Sequence, residues 1–358
     1  MSFWHRIERF YIKYDRQISS IFLVPGFIVN ILTLRRVDLF WENFWIIAHI
    51  VAVGILIFQI QYEEKRGEEK SGMHFWYLSA LQFLFGGIFS TYLVFYFRSG
   101  DFFASLPFYV LLLAIFIANE YLKKHRARLG FQIALFFLSV YTFAIFIVPV
   151  LAHKISPLIF LLAGVVSLTF VAIFTEVLFR FVVRGSQKLR MTLSAILLSI
   201  FAIINILYFA NLIPPIPFAM NSGGVYHQVS RTEDGNYRII DEARPWWNAF
   251  VLYEPMHLTH NPVYAFSAVF SPPGFMTEIV HEWQWYDPVI KTWVTKSTVK
   301  LPVIGGREGG FRTYSKISNL DKGKWRVNIE TLKGHTIGRL RIRVIESYPI
   351  PTLKEIKK

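Results

Sequence analysis

Apolar residues fill long windows over the first 213 positions, and short alternating runs follow. Six windows run near 40–60, 73–97, 102–122, 131–152, 157–183 and 191–213. Each is long enough to cross a hydrocarbon core of about 30 Å, which takes roughly 20 helical residues. A seventh, near 17–34, is shorter and contains Pro25-Gly26, so it either spans with a kink or dips in and returns.

Charge decides between those readings. With residue 1 inside and seven spans, the inner segments hold Arg6/Arg9/Lys13/Arg16, Lys65/Arg66/Lys70, Lys123/Lys124/Arg126/Arg128 and Arg180/Arg184/Lys188/Arg190. The outer segments hold only Arg35, Arg36, Arg98 and Lys154. Fifteen basic residues inside against four outside is a strong positive-inside bias, weakened slightly by the acidic neighbours Glu63, Glu64, Glu68 and Glu69. The pattern predicts seven helices, a cytoplasmic segment 1–16, a membrane domain 17–213 and a C-terminus outside.

The run Ile213-Pro214-Pro215-Ile216-Pro217 ends the last helix, because proline lacks a backbone donor and fixes an extended φ. Residues 214–221 read as a stiff linker, 222–350 as a β-domain and 351–358 as a basic tail. Within the β-domain, 222–262 is polar and irregular, with turn signals at Asp234-Gly235 and Asn261-Pro262. From there, β-rich runs at 263–271, 277–286, 291–303, 311–318, 323–332 and 335–346 carry the spacing of a sandwich. The fold class expected is a multi-pass α-helical membrane bundle plus a C-terminal all-β, immunoglobulin-like sandwich.

The last two runs give a register. A two-residue turn at Lys333-Gly334 pairs Trp325 with Ile342, Val327 with Leu340 and Ile329 with Gly338 on one face. The other face then pairs Lys324 with Arg343, Arg326 with Arg341 and Asn328 with Arg339. Like charges opposite one another are mildly destabilising, so this surface invites an anion unless acidic residues from other strands relieve it.

Composition sharpens the picture. The chain is 54% apolar yet carries a net charge of +14. Residues 1–221 hold 19 basic and 11 acidic groups, mostly anchoring charge, and residues 222–358 hold 19 and 13. A basic face outside the cell disfavours nucleic acid as a partner. The absence of cysteine excludes disulfide scaffolds, Cys-ligated metals and a Cys nucleophile.

Other motifs offer weaker chemistry. Gly305-Gly306-Arg307-Glu308-Gly309-Gly310 permits close backbone approach, either to an anion flanked by Arg307 and Arg312 or to the protein itself. Ile279, His281, Trp283 and Trp285 share a strand face that suits a core or a sugar platform. His257-x-x-His260 has a ligand-like gap but falls in an extended stretch, so no metal or cofactor is expected. Glu254, Glu278, Glu282 and Asp287 form no recognisable catalytic pair. In the membrane half, Glu176 and Arg180 stand one turn apart, while His49, Asn119 and Glu120 are the other polar candidates.

The series His281-Glu282-Trp283, Gly305-Gly306-Arg307, Gly310-Phe311-Arg312-Thr313-Tyr314-Ser315, Gly323-Lys324-Trp325-Arg326-Val327 and Ile337-Gly338-Arg339 resembles a bacterial family, domain of unknown function 2914. The resemblance implies a bacterial source and a compact β-domain outside the cytoplasmic membrane, and it implies no activity.

The leading expectation is a binding or assembly module on the extracytoplasmic side. Arg307, Arg312, Lys324, Arg326, Arg339, Arg341 and Arg343 would contact membrane lipids, an anionic envelope glycan or another envelope protein. One alternative is an envelope enzyme acting on a lipid or lipid-linked glycan through His257, His260, His281, Glu282 or Asp287. The other is a transporter or sensor with a polar cavity near His49, Asn119 and Glu176.

Overall fold

The structure is a computed structural model that describes residues 39–67, 72–99, 105–121, 129–183, 186–214, 217–243, 251–257, 262–307, 309–345 and 352–357. Two compact units meet in sequence between Ile213 and Pro214. The expected span at 17–34 and the cytoplasmic segment 1–16 lie outside the described residues.

The first unit contains six helices among the described residues: α1 (Phe40–Arg66), α2 (Gly72–Ser99), α3 (Leu106–Tyr121), α4 (Leu129–Ala152), α5 (Pro157–Phe181) and α6 (Gln187–Phe209). Five are long and apolar enough to cross a membrane, and the shorter α3 is the exception. This is a membrane protein. The helix ends follow local chemistry. Gly67 closes α1 at φ 74°, while Ser156 and Ser186 cap α5 and α6 by accepting the Ile159 and Leu189 amide protons at 3.2 and 3.3 Å. Helix α4 is the most enclosed, and Gly164 on α5 lets its Tyr141 approach closely. The last helix stops at Phe209, four residues before the expected end, and its orphan carbonyls accept from Ala210, Asn211 and Leu212.

The second unit holds eleven strands among the described residues: β1 (Ala219–Tyr226), β2 (Gln228–Arg231), β3 (Tyr237–Glu242), β4 (Glu254–His257), β5 (Val263–Phe270), β6 (Met276–Asp287), β7 (Thr292–Ile304), β8 (Phe311–Ile317), β9 (Gly323–Thr331), β10 (Thr336–Ile345) and β11 (Leu353–Lys357). They form a five-stranded sheet β4-β10-β9-β6-β7, a sheet β1-β5-β8 and a sheet β11-β3-β2. The middle sheet is covered on both faces. Ser267 and Ser315 meet His281 of the five-stranded sheet on one side, and Phe266 and Ala268 pack with Val229, Tyr237 and Ile239 on the other. Burial of both faces explains why Val263–Phe270 is an almost continuous apolar run.

Strands β5 to β10 lie within a residue or so of their expected runs. The stretch 222–262 differs from its expected irregularity, because it contributes β2, β3, β4 and most of β1. These strands are short and are held by pairing to β5, β10 and one another, and the one clear alternation, Tyr237-Arg238-Ile239 in β3, is too brief to announce a strand. The tail likewise forms β11, antiparallel to β3, with Glu355 accepting from Arg238 at 2.7 Å.

The β9–β10 register is the expected one throughout 324–329 and 338–343. The turn differs. Thr331 donates to His335 and Gly334 donates back to Thr331, giving a three-residue loop with Gly334 at φ 81°. A bulge at Ile337 restores the register, so the apolar face still points inward. The two errors of one residue cancel.

Candidate functional site

Five of the seven expected basic residues converge. Lys324, Arg326, Arg339, Arg341 and Arg343 occupy the outward face of β9 and β10, where Arg326 is opposite Arg341 and Lys324 opposite Arg343. The inward residues Trp325, Val327, Ile329, Leu340 and Ile342 are buried, and that burial fixes which way the cations point.

Neighbouring groups partly relieve the repulsion among the cations. Arg326 donates to Gln284 Oε1 at 2.6 Å and stacks 4.3 Å above the Trp293 ring. Arg339 donates to Asn328 Oδ1 at 2.6 Å, and Asn328 donates to Glu282 Oε2 at 3.1 Å. Lys324 lies over the rings of Tyr253 and Tyr286, at 5.4 and 5.8 Å. Burial, and then the Arg339 cation, lower the Arg326 pKa, while Glu282 opposes that shift. Burial and the neighbouring Glu282 carboxylate raise Glu330, against the pull of Arg339 and Arg326. Five cations thus share a face with Glu282 and Glu330. The partial relief came from β6, whose residues sequence spacing alone does not bring beside β9.

Arg312 and Arg307 sit elsewhere. Arg312 belongs to β8 in the middle sheet and donates to Asn236 Oδ1 at 3.3 Å. Arg307 is exposed in the β7–β8 loop. That loop is no phosphate cradle over its described residues. The amides of Gly305, Gly306 and Gly310 donate to Phe275, Ser271 and Arg307 carbonyls at 2.8, 2.9 and 3.0 Å. A Cβ on Gly305 would collide with the Pro272 carbonyl, so the close approach that needs glycine is to the protein's own backbone.

The residues of the enzyme reading are dispersed. His281 is fully buried between Ser267 and Ser315, whose hydroxyls lie 2.8 and 2.9 Å from its two ring nitrogens, and burial pushes it down to about 4. Trp283 is also core, donating to Ser315 Oγ at 3.0 Å. Glu282 faces outward, and Asp287 accepts the Val289 amide proton at the β6–β7 turn. His257 belongs to another cluster. It meets Glu242, which also accepts from His227, and His260 lies outside the described residues.

Sequence reasoning missed that Glu242 cluster. The carboxylate is buried, with His227 Nε2 at 2.9 Å, the His257 amide at 2.7 Å and His257 Nδ1 at 3.0 Å. Burial alone would raise its pKa, but the hydrogen bonds from His227 and His257 prevail and hold it at about 2. The cluster ties the end of β3 to β4 and to the β1–β2 junction.

In the helical unit, Glu176 pairs with Arg190 of α6 rather than with Arg180, which stacks on Phe181 at 5.8 Å. His49 donates through Nδ1 to the Trp45 carbonyl at 2.7 Å. Buried polar pairs among the described residues include Glu63–His74 at 3.0 Å and Gln61–Gln132 at 3.3 Å, with a small pocket beside Gln82 and Gln132. The side chains of Asn119 and Glu120 lie outside the described residues.

The strands that build the cationic face also carry a family signature. Residues 276–344 match the family described as "Protein of unknown function (DUF2914)". The DUF2914 segment runs from the start of β6 to the next-to-last residue of β10, so it includes all five converging cations and the glycine loop. It excludes Glu242, His227 and His257. No curated protein and no solved structure matches the chain.

Proposed function

We propose that this is a seven-span protein of the bacterial cytoplasmic membrane that presents an extracytoplasmic, immunoglobulin-like sandwich to bind an anionic envelope component. The N-terminus would be cytoplasmic and the sheet-rich unit periplasmic, as the distribution of fifteen and four basic residues favours. The observation that carries the reading is the shared outward face of Lys324, Arg326, Arg339, Arg341 and Arg343. Planar guanidinium groups suit phosphate and carboxylate oxygens, and a rigid sheet holds them at fixed spacing. Membrane lipids, an anionic envelope glycan and an acidic envelope protein all offer such oxygens.

The test uses the full chain in phosphatidylcholine nanodiscs, titrated with a soluble polyphosphate. Wild-type protein should bind and release the polymer as salt rises, and the Arg339→Glu/Arg341→Glu/Arg343→Glu variant should lose the binding. Equal, salt-insensitive binding by both proteins would remove this reading.

A further inference from the structure

The β6–β7 turn carries a feature that anion binding does not use. Val289 is 85% exposed and Ile290 61% exposed, at the extreme end of the longest hairpin in the described domain. The turn is preorganised. Asp287 Oδ1 accepts the amide protons of Val289 at 2.7 Å and Ile290 at 3.3 Å, and Lys291 closes it at φ 54°. Two aliphatic side chains are therefore held in solvent by a fixed loop, against the usual tendency to withdraw them.

Behind the tip, Tyr286 and Trp293 pack edge to face with ring centres 5.3 Å apart. Level with this pair across the sheet stand Lys324, over Tyr286, and its neighbour Arg343, and one step further from the tip come Arg326, over Trp293, and Arg341, then Arg339. The surface runs from an aliphatic tip to a band of aromatic rings and cations, and then to cations alone. A bilayer has the same order from its hydrocarbon through its interface, where Tyr and Trp concentrate, to its phosphates. An acidic protein or a free glycan would match the cations and leave the aliphatic tip in water.

We infer that the β6–β7 tip inserts into the surface of an anionic lipid bilayer, with Lys324 and Arg326 on headgroup phosphates and Tyr286 and Trp293 at the interface. This rests on the proposed anion-binding face and names its partner. Only residues 210–218 separate α6 from β1, so the domain is tethered close in sequence to the last helix.

The chain lacks cysteine, so Ile290→Cys supplies a single site for an environment-sensitive fluorophore. Asp234→Cys, in the β2–β3 turn of the third sheet, gives a reference site. Each full-length protein is placed in nanodiscs carrying a lipid-attached quencher, with phosphatidylglycerol mixed into phosphatidylcholine or with phosphatidylcholine alone. The expected result is at least twofold quenching at position 290 in the anionic discs. It should be absent at position 234, and lost at 290 when Lys324→Glu/Arg326→Glu is added. No quenching at 290 in either lipid overturns the inference, and so does a blue-shifted label that the lipid quencher does not reach, which marks a protein partner. Polyphosphate binding in the same preparation separates the two claims. If it persists while the tip stays unquenched, the anion-binding face stands and the lipid assignment falls.

Discussion

Charged and polar groups are housed in two contrasting ways within one domain. At the junctions between layers, His281 has a serine hydroxyl on each ring nitrogen, and Glu242 has three donors at 2.7 to 3.0 Å. On the outer face, five cations are set among Gln284, Asn328, Glu282, Glu330 and three aromatic rings. The inner groups have fixed partners and no access to solvent, so their role is cohesion. Removing one partner there strands a buried polar atom. The outer groups keep positive charge in excess, on side chains that reach water. The first set serves stability and, under the proposed function, the second serves recognition, and each assignment can be broken separately.

The largest effect is expected at Glu242. Its replacement by alanine leaves His227 and His257 without their shared acceptor and should destabilise the sheet-rich unit by about 3–5 kcal/mol. Hydrogen exchange of β3 and β4 in the full chain would report it, and unchanged protection would refute the cohesive role.

Acid should act on the same inner groups. Burial depresses His281 from 6.5 to about 4, so its neutral form favours the fold above pH 6.5 and that contribution is lost as pH falls toward 4. Glu242, depressed from 4.5 to about 2, adds a second loss as pH falls from 4.5 toward 2. Thermal unfolding followed across that range should show declining stability, and His281→Gln should flatten the upper part.

A smaller effect is expected at the β9–β10 turn. Gly334 has φ 81°, and alanine there should cost about 1 kcal/mol while leaving the cationic register intact. Smallest of all, Arg343→Ala on the exposed face should change stability by no more than about 0.5 kcal/mol while weakening polyphosphate binding.

Much of the fold was legible where local pattern governs it. The strand periods of β6, β7, β9 and β10 and the inward set led by Trp325 and Val327 specify a register that even a mistaken turn length did not disturb, because the bulge at Ile337 absorbed the difference. What stayed hidden depends on distant pairing. Strand β4 is Glu-Pro-Met-His, with no alternation, and exists because it lies parallel to β10. The Glu242 site joins residues 15 positions apart in each direction, and nothing near any of the three announces the others. Likewise, Glu176 has an arginine one turn away, yet its partner is Arg190 on the adjacent helix. Spacing along one helix cannot weigh a neighbour supplied by another.

The most direct test of the recognition claim is the salt-dependent titration of full-length protein with polyphosphate in phosphatidylcholine nanodiscs. Wild type should bind at low salt and release as salt rises, and the Arg339→Glu/Arg341→Glu/Arg343→Glu variant should fail to bind while retaining wild-type hydrogen-exchange protection in β9 and β10. Binding of equal strength by that folded variant would contradict it.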